Sequence, residues 1–172
     1  MATVPRTVTF QGNPLTLAGT PVTVGTPAPA FTVLATDLSP VTQDVLKGKT
    51  SVIITVPSLD TPVCDTETRR FNKEATALGD QVQVLCISTD LPFAQGRWCG
   101  AAGIKNVRAL SDHRDLSFGM AYGVVLKDLR LLARAVFIID AGCIVRYIEL
   151  VPEITKEPDY DAALAAAKGI TQ

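Results

Sequence analysis

At 172 residues the chain is long enough for one well-buried domain and short for two. Its 16 Lys and Arg nearly balance 17 Asp and Glu, with 47% apolar residues, so nothing marks a nucleic-acid or anionic-membrane surface. No apolar run approaches the ~20 residues of a membrane span, and the start, "MATVPRTVTF", lacks the apolar core of a secretory signal, which makes the cytoplasm the expected location.

In chain order, "TVTFQGNPLTLAG" alternates apolar and polar residues around Gln11-Gly12-Asn13-Pro14 and predicts a β-hairpin. Prolines confine the next stretch, "VTVGTPAPAFTVLATD", to an edge strand or irregular chain. "TSVIITVPS" is a buried strand by its β-branched run, stopped at Pro57. From Pro62 to Leu78 the pattern is helical, with Phe71, Ala75 and Leu78 on one face. "QVQVLCIST" is the next strand. "DLPFAQGRWCGAAG" reads as a short helix with Asp90 as N-cap and an end near Gly100 or Gly103. "DHRDLSFGMAYG" predicts a third helix, with Asp112 and Asp115 at a solvated start. "ARAVFIID" and "CIVRYIEL" form a strand pair across a turn containing Gly142, and "DYDAALAAAKG" is a helix closed by Gly169. Strands alternating with helices, then a terminal hairpin, predict an α/β fold. Its layout is thioredoxin-like: a mixed central sheet flanked by helices, with an N-terminal β-hairpin, all in one domain over 1–172.

The cysteines are Cys64, Cys86, Cys99 and Cys143, at spacings of 22, 13 and 44 residues. The closely spaced pairs of a structural zinc site are missing, and four cysteines are too few for a disulfide-stapled scaffold. With Thr61 as N-cap and Pro62 at N1, Cys64 falls at N3. There unpaired backbone N–H groups and the helix dipole favour a thiolate. The position alone fits either a nucleophile or a small buried apolar residue. Pro57 stops a strand and can wall a pocket; Thr61 can cap the helix or touch a ligand. Arg134 opens an apolar strand. Its head either lies beside Cys64, if the two strands are neighbours, or reaches solvent. Cys99 lies near a helix C-terminus, where the dipole does not lower its pKa. Cys86 and Cys143 read as structural or incidental thiols, and His113, the only histidine, as a surface residue in a charged cluster. No phosphate-binding glycine motif occurs, so no nucleotide site is expected, and chemistry at a thiol requires no metal or organic cofactor.

Pro57-x-x-x-Thr61-x-x-Cys64 resembles the signature of peroxiredoxins. "TFQGNPLTLAG", "CISTDLPFAQGRWCG", "LLARAVFIID" and "ELVPEITKEPDYDAALAAAKG" resemble segments of one subgroup, the bacterial thiol peroxidases, atypical 2-Cys members of the family. The resemblance covers nearly the whole chain. It implies that Cys64 is the peroxidatic cysteine and Cys99, 35 residues on, the resolving one. Thr61 and Arg134 match positions that hold the thiolate and peroxide oxygens, and Pro57 the residue shielding the sulfur. Further implications are hydroperoxide reduction through an intramolecular Cys64–Cys99 disulfide, recycling by thioredoxin, and a homodimer. The chain departs from the pattern at Val56, where an aromatic is frequent, and at Trp98, where a smaller aromatic is common and the indole is expected to stiffen the helix. Val124 to Arg130 aligns with no assigned role. The alternative is a non-enzymatic thioredoxin-like redox switch, which has no need for Arg134, Pro57 and Thr61 together.

Overall fold

The structure, a computed structural model, describes residues 6–171. The reading of the first ten residues as lacking a signal falls in its first half, residues 1–5, outside the described residues.

The chain opens with the expected hairpin, β1 (Thr7–Phe10) and β2 (Asn13–Ala18). Its turn is only Gln11-Gly12, both with positive φ (49° and 82°), the geometry that matches strand twist in a tight hairpin. The proline-rich stretch yields β3 (Thr32–Leu34), which turns into β4 (Pro40–Thr42). Pro40 is tolerated because β4 is the edge of the sheet. A 3-10 turn follows, and then β5 (Thr50–Thr55), α1 (Pro62–Leu78) and β6 (Val82–Ser88) form a parallel crossover unit. Next come α2 (Pro92–Ala102), β7 (Val107–Ser111), α3 (Ser117–Tyr122), β8 (Val125–Leu126), β9 (Leu131–Leu132), β10 (Ala135–Ile139), β11 (Val145–Leu150) and α4 (Tyr160–Thr171).

Seven strands form one mixed sheet in the order β11-β10-β5-β6-β7-β3-β4; β1, β2, β8 and β9 form a second, smaller sheet. Strand alternation sorts the core into two layers. Ile53 of β5 and Phe137 of β10 face the side covered by the small sheet and α3, where Phe31, Phe118 and Tyr122 cluster. Val52, Ile54, Val136 and Ile138 face the side carrying Phe71 of α1 and Ala163 and Ala167 of α4.

Several expectations are corrected. β7 went unseen because Arg108 interrupts its short apolar run, and two-residue strands such as β8 and β9 carry no readable periodicity. The N-cap position of α2 belongs to Leu91, whose side chain makes no cap, while Asp90 is engaged elsewhere. Of the two glycines expected near the end of α2, Gly103 is the one that closes it, with left-handed φ of 67°. Gly169 does not close the last helix, which runs on to Thr171. Asp112 is buried, not solvated: its carboxylate accepts from the Phe118 and Gly119 amides at 3.0 and 2.8 Å. Burial pushes it up to about 6 against these bonds. Asp115 remains exposed beside Arg114.

Candidate active site

α1 begins where β5 ends, so the loop between them carries Pro57 and Thr61 to the mouth of the sheet. Asp90, just beyond β6, fixes this loop. Its carboxylate accepts from Ser58 Oγ at 2.6 Å, from the Leu59 amide at 2.8 Å and from Ser88 Oγ at 2.7 Å. Thr61 occupies the N-cap position with extended backbone, but its hydroxyl does not cap the helix. It donates to the Ser58 carbonyl at 2.8 Å. Its single hydrogen is therefore spent, and the oxygen is left as an acceptor.

Cys64, on the first turn of α1, is fully buried. The register of β10 against β5 pairs Ala135 with Thr55, and Thr55 Oγ1 donates to the Ala133 carbonyl at 2.8 Å. Together these place Arg134, just before β10, over the start of α1. Arg134 Nη2 donates to Cys64 Sγ at 3.2 Å and to the Ile154 carbonyl at 2.8 Å; Nε donates to the same carbonyl at 3.1 Å. Its Nη1 forms a short ion pair with Glu67 Oε2. Arg134 is only 2% exposed, so the charge exists because these partners surround it. Burial opposes that charge, but Glu67 and the Cys64 sulfur outweigh it and hold the guanidinium above its ordinary pKa.

Glu67 escaped the sequence reading. It is fully buried, and its Oε1 has no hydrogen-bond partner among the described residues. Burial pushes it up to about 7, against the pull of Arg134. Its signal was available: the buried stripe of α1 (Cys64, Glu67, Thr68, Phe71, Leu78) places a carboxylate three residues from the cysteine on a face with no other charged residue.

An apolar cleft of about 310 Å³ opens over this cluster. Pro57, Thr61 and Arg134 line it, together with Phe10, Val63 and Leu129. Phe10 comes from the N-terminal hairpin and Leu129 from the segment that had no assigned role. The hairpin is held in place by Glu153, which accepts from the Gly12 amide at 2.9 Å and from Thr9 Oγ1 at 3.1 Å. Among the described residues no group of three His, Cys, Asp or Glu side chains gathers to hold a metal ion.

The redoxin family matches residues 23–164. A thiol peroxidase of Halalkalibacterium halodurans is 61% identical over 94% of this chain and 96% of its own. A thiol peroxidase of Bacillus subtilis is 54% identical over 96% and 98%. The chain belongs to the redoxin family, among its thiol peroxidases. A solved peroxiredoxin-like protein from Aquifex aeolicus superposes with a TM-score of 0.90 at 46% identity, covering 96% of this chain and 97% of its own. The mixed sheet with flanking helices is thus the thioredoxin-like fold of this family.

Within this redoxin, Pro57, Thr61, Cys64 and Arg134 converge, but Cys99 stands apart. It lies on α2, partly buried, in a separate recess formed by Thr36, Ile104 and Arg108, none of which borders the Cys64 cleft. Burial pushes the Cys99 thiol up. Cys86 is buried in β6, 3.7 Å from Thr68 Oγ1, and burial pushes its thiol well up. Cys143 sits in the β10–β11 turn with φ of 63°. His113 is partly buried beside β7, and its amide approaches Ser111 Oγ at 3.4 Å.

Proposed function

We propose that the chain, as one catalytic domain over 1–172, reduces hydroperoxides, both hydrogen peroxide and organic ones, with Cys64 as the attacking thiolate. The observation that carries this is the 3.2 Å contact of Cys64 Sγ with Arg134 Nη2, the guanidinium of a residue that lines an apolar cleft together with Pro57 and Thr61. The sulfur attacks one peroxide oxygen and the O–O bond breaks. Cys64 becomes a sulfenic acid, and the leaving oxygen departs as alkoxide or hydroxide and takes up a proton. Arg134 stabilises the negative charge spread over sulfur and oxygens as that bond breaks. Thr61 Oγ1, its own hydrogen donated to Ser58, accepts a hydrogen bond from the peroxide O–H. Pro57 shields the sulfur from water.

Cys99 then attacks the sulfenic sulfur, which forms the Cys64–Cys99 disulfide and releases water. A disulfide needs Cα atoms about 4.4–6.8 Å apart. With Cys64 buried and Cys99 in another recess, the start of α1, the end of α2, or both must unwind. Thioredoxin, the dithiol reductant implied by the family, restores both thiols by exchange. The reading includes the family's cytoplasmic homodimer. Among the described residues no helix is long and apolar enough to cross a membrane.

The test is hydroperoxide turnover driven by NADPH, thioredoxin reductase and thioredoxin. The wild type is expected to turn over and Cys64→Ser to be inactive. Cys99→Ser should consume one equivalent of peroxide and then lose thioredoxin-supported turnover. Turnover that survives Cys64→Ser would overturn the assignment.

A further inference from the structure

We propose that a bond between Trp98 and Asp65 is a clasp that sets how fast the disulfide forms. This rests on the Cys64–Cys99 pairing proposed above. Trp98 Nε1 donates to Asp65 Oδ1 at 2.9 Å, and Arg69 completes the unit. Its Nε bonds Asp65 Oδ2 at 2.9 Å, while its guanidinium lies 5.7 Å from the Trp98 ring centroid. Asp65 directly follows Cys64, and Trp98 directly precedes Cys99. The bond therefore joins the chain neighbours of the two sulfurs that must meet.

The clasp matters because α2 is weak by itself. Gly96 and Gly100 lie inside it, and glycine weakens a helix interior relative to alanine. Its N-cap residue, Leu91, offers no side-chain bond, and only Pro92 and Gln95 of the helix are fully buried. The indole anchors the helix by packing on the core beneath α1 and by its N–H. While the bond is closed, Cys99 stays in its own recess. When α2 unwinds to bring Cys99 towards Cys64, the indole N–H must leave Asp65. Phenylalanine at position 98 would keep the packing and lack the bond. Trp98 and Asp65 are thus positioning residues for the second chemical step and take no part in the first.

The experiment is rapid-quench oxidation by cumene hydroperoxide. Sulfenic acid is trapped with a cyclic dione, and both products are resolved by mass spectrometry. It compares wild type, Trp98→Phe, Asp65→Ala and the double variant. Sulfenic acid formation should be unchanged throughout. Disulfide formation should be about three- to tenfold faster in each single variant, the scale of one net hydrogen bond. The double variant should be no faster than the singles, because they remove the same bond. Unchanged or slower disulfide formation, or additive effects in the double variant, would overturn the clasp while leaving the peroxidase reading intact. If the wild type forms no sulfenic acid, the peroxidase reading fails, and the clasp fails with it.

Discussion

Replacing Glu67 by glutamine separates two forces acting on the buried pair, best done in a Cys64→Ser background so that the thiol beside Arg134 neither titrates nor oxidises. Glu67 is fully buried, and among the described residues one of its carboxylate oxygens has no partner and its single ion-pair partner is Arg134. If desolvation wins, the native state holds the Glu67 proton more tightly than the unfolded chain does. The rise from 4.5 to about 7 then corresponds to roughly 3 kcal/mol, at about 1.4 kcal/mol per pH unit. The sign follows from linkage: this stability is present in full below the unfolded value of 4.5 and is lost as pH climbs to about 7. Glutamine does not titrate. The variant should therefore gain on its parent by roughly 2–3 kcal/mol between about pH 5 and about pH 8. Urea unfolding of both proteins at the two pH values gives the difference directly. A variant that instead loses ground as pH rises would show that Arg134 dominates over burial, and the reasoning would be wrong.

Other outcomes follow from the same geometry. Arg134→Lys replaces a fork that reaches Cys64, Glu67 and Ile154 at once by a single ammonium, and should slow Cys64 oxidation about 100-fold in stopped flow. Asp90→Ala removes the acceptor for Ser58 and Leu59 of the loop that leads to Cys64, and for Ser88 at the end of β6. It should lower stability by about 1–3 kcal/mol in urea unfolding and speed hydrogen exchange at the Leu59 amide. Phe10→Ala opens one wall of the cleft; steady-state assays should show the KM for cumene hydroperoxide raised about threefold to tenfold, with hydrogen peroxide turnover little changed.

The elements readable in the sequence were those with long, regular signals. The β-branched run of β5 and the strand pair β10–β11 carry such signals, and the apolar stripe of α1 made its span clear from Pro62. Even Arg134 could be placed, on the condition that its strand lies beside β5, and the observed register meets that condition. What could not be read depends on three-dimensional competition. Asp90 looked like a helix cap, but three donors from a loop 31 residues earlier and from β6 occupy its carboxylate. Asp112 looked solvated because "SDHRD" is polar, yet the turn into α3 buries it against two amides. The Ile154 carbonyl, which holds Arg134 through two bonds, is a backbone group and leaves no mark in a side-chain pattern. Glu67 was legible: extending the stripe of Phe71 and Leu78 back towards Cys64 passes through it.

The central claim is that Cys64 is built to attack peroxide. The most direct measurement is stopped-flow oxidation of the reduced protein by cumene hydroperoxide, following the fluorescence of Trp98, the only tryptophan. The account predicts oxidation at least about 100-fold faster than that of a free thiol, abolished by Cys64→Ser and halted at the sulfenic acid in Cys99→Ser. Oxidation no faster than that of a free thiol, and indifferent to Cys64, would contradict it.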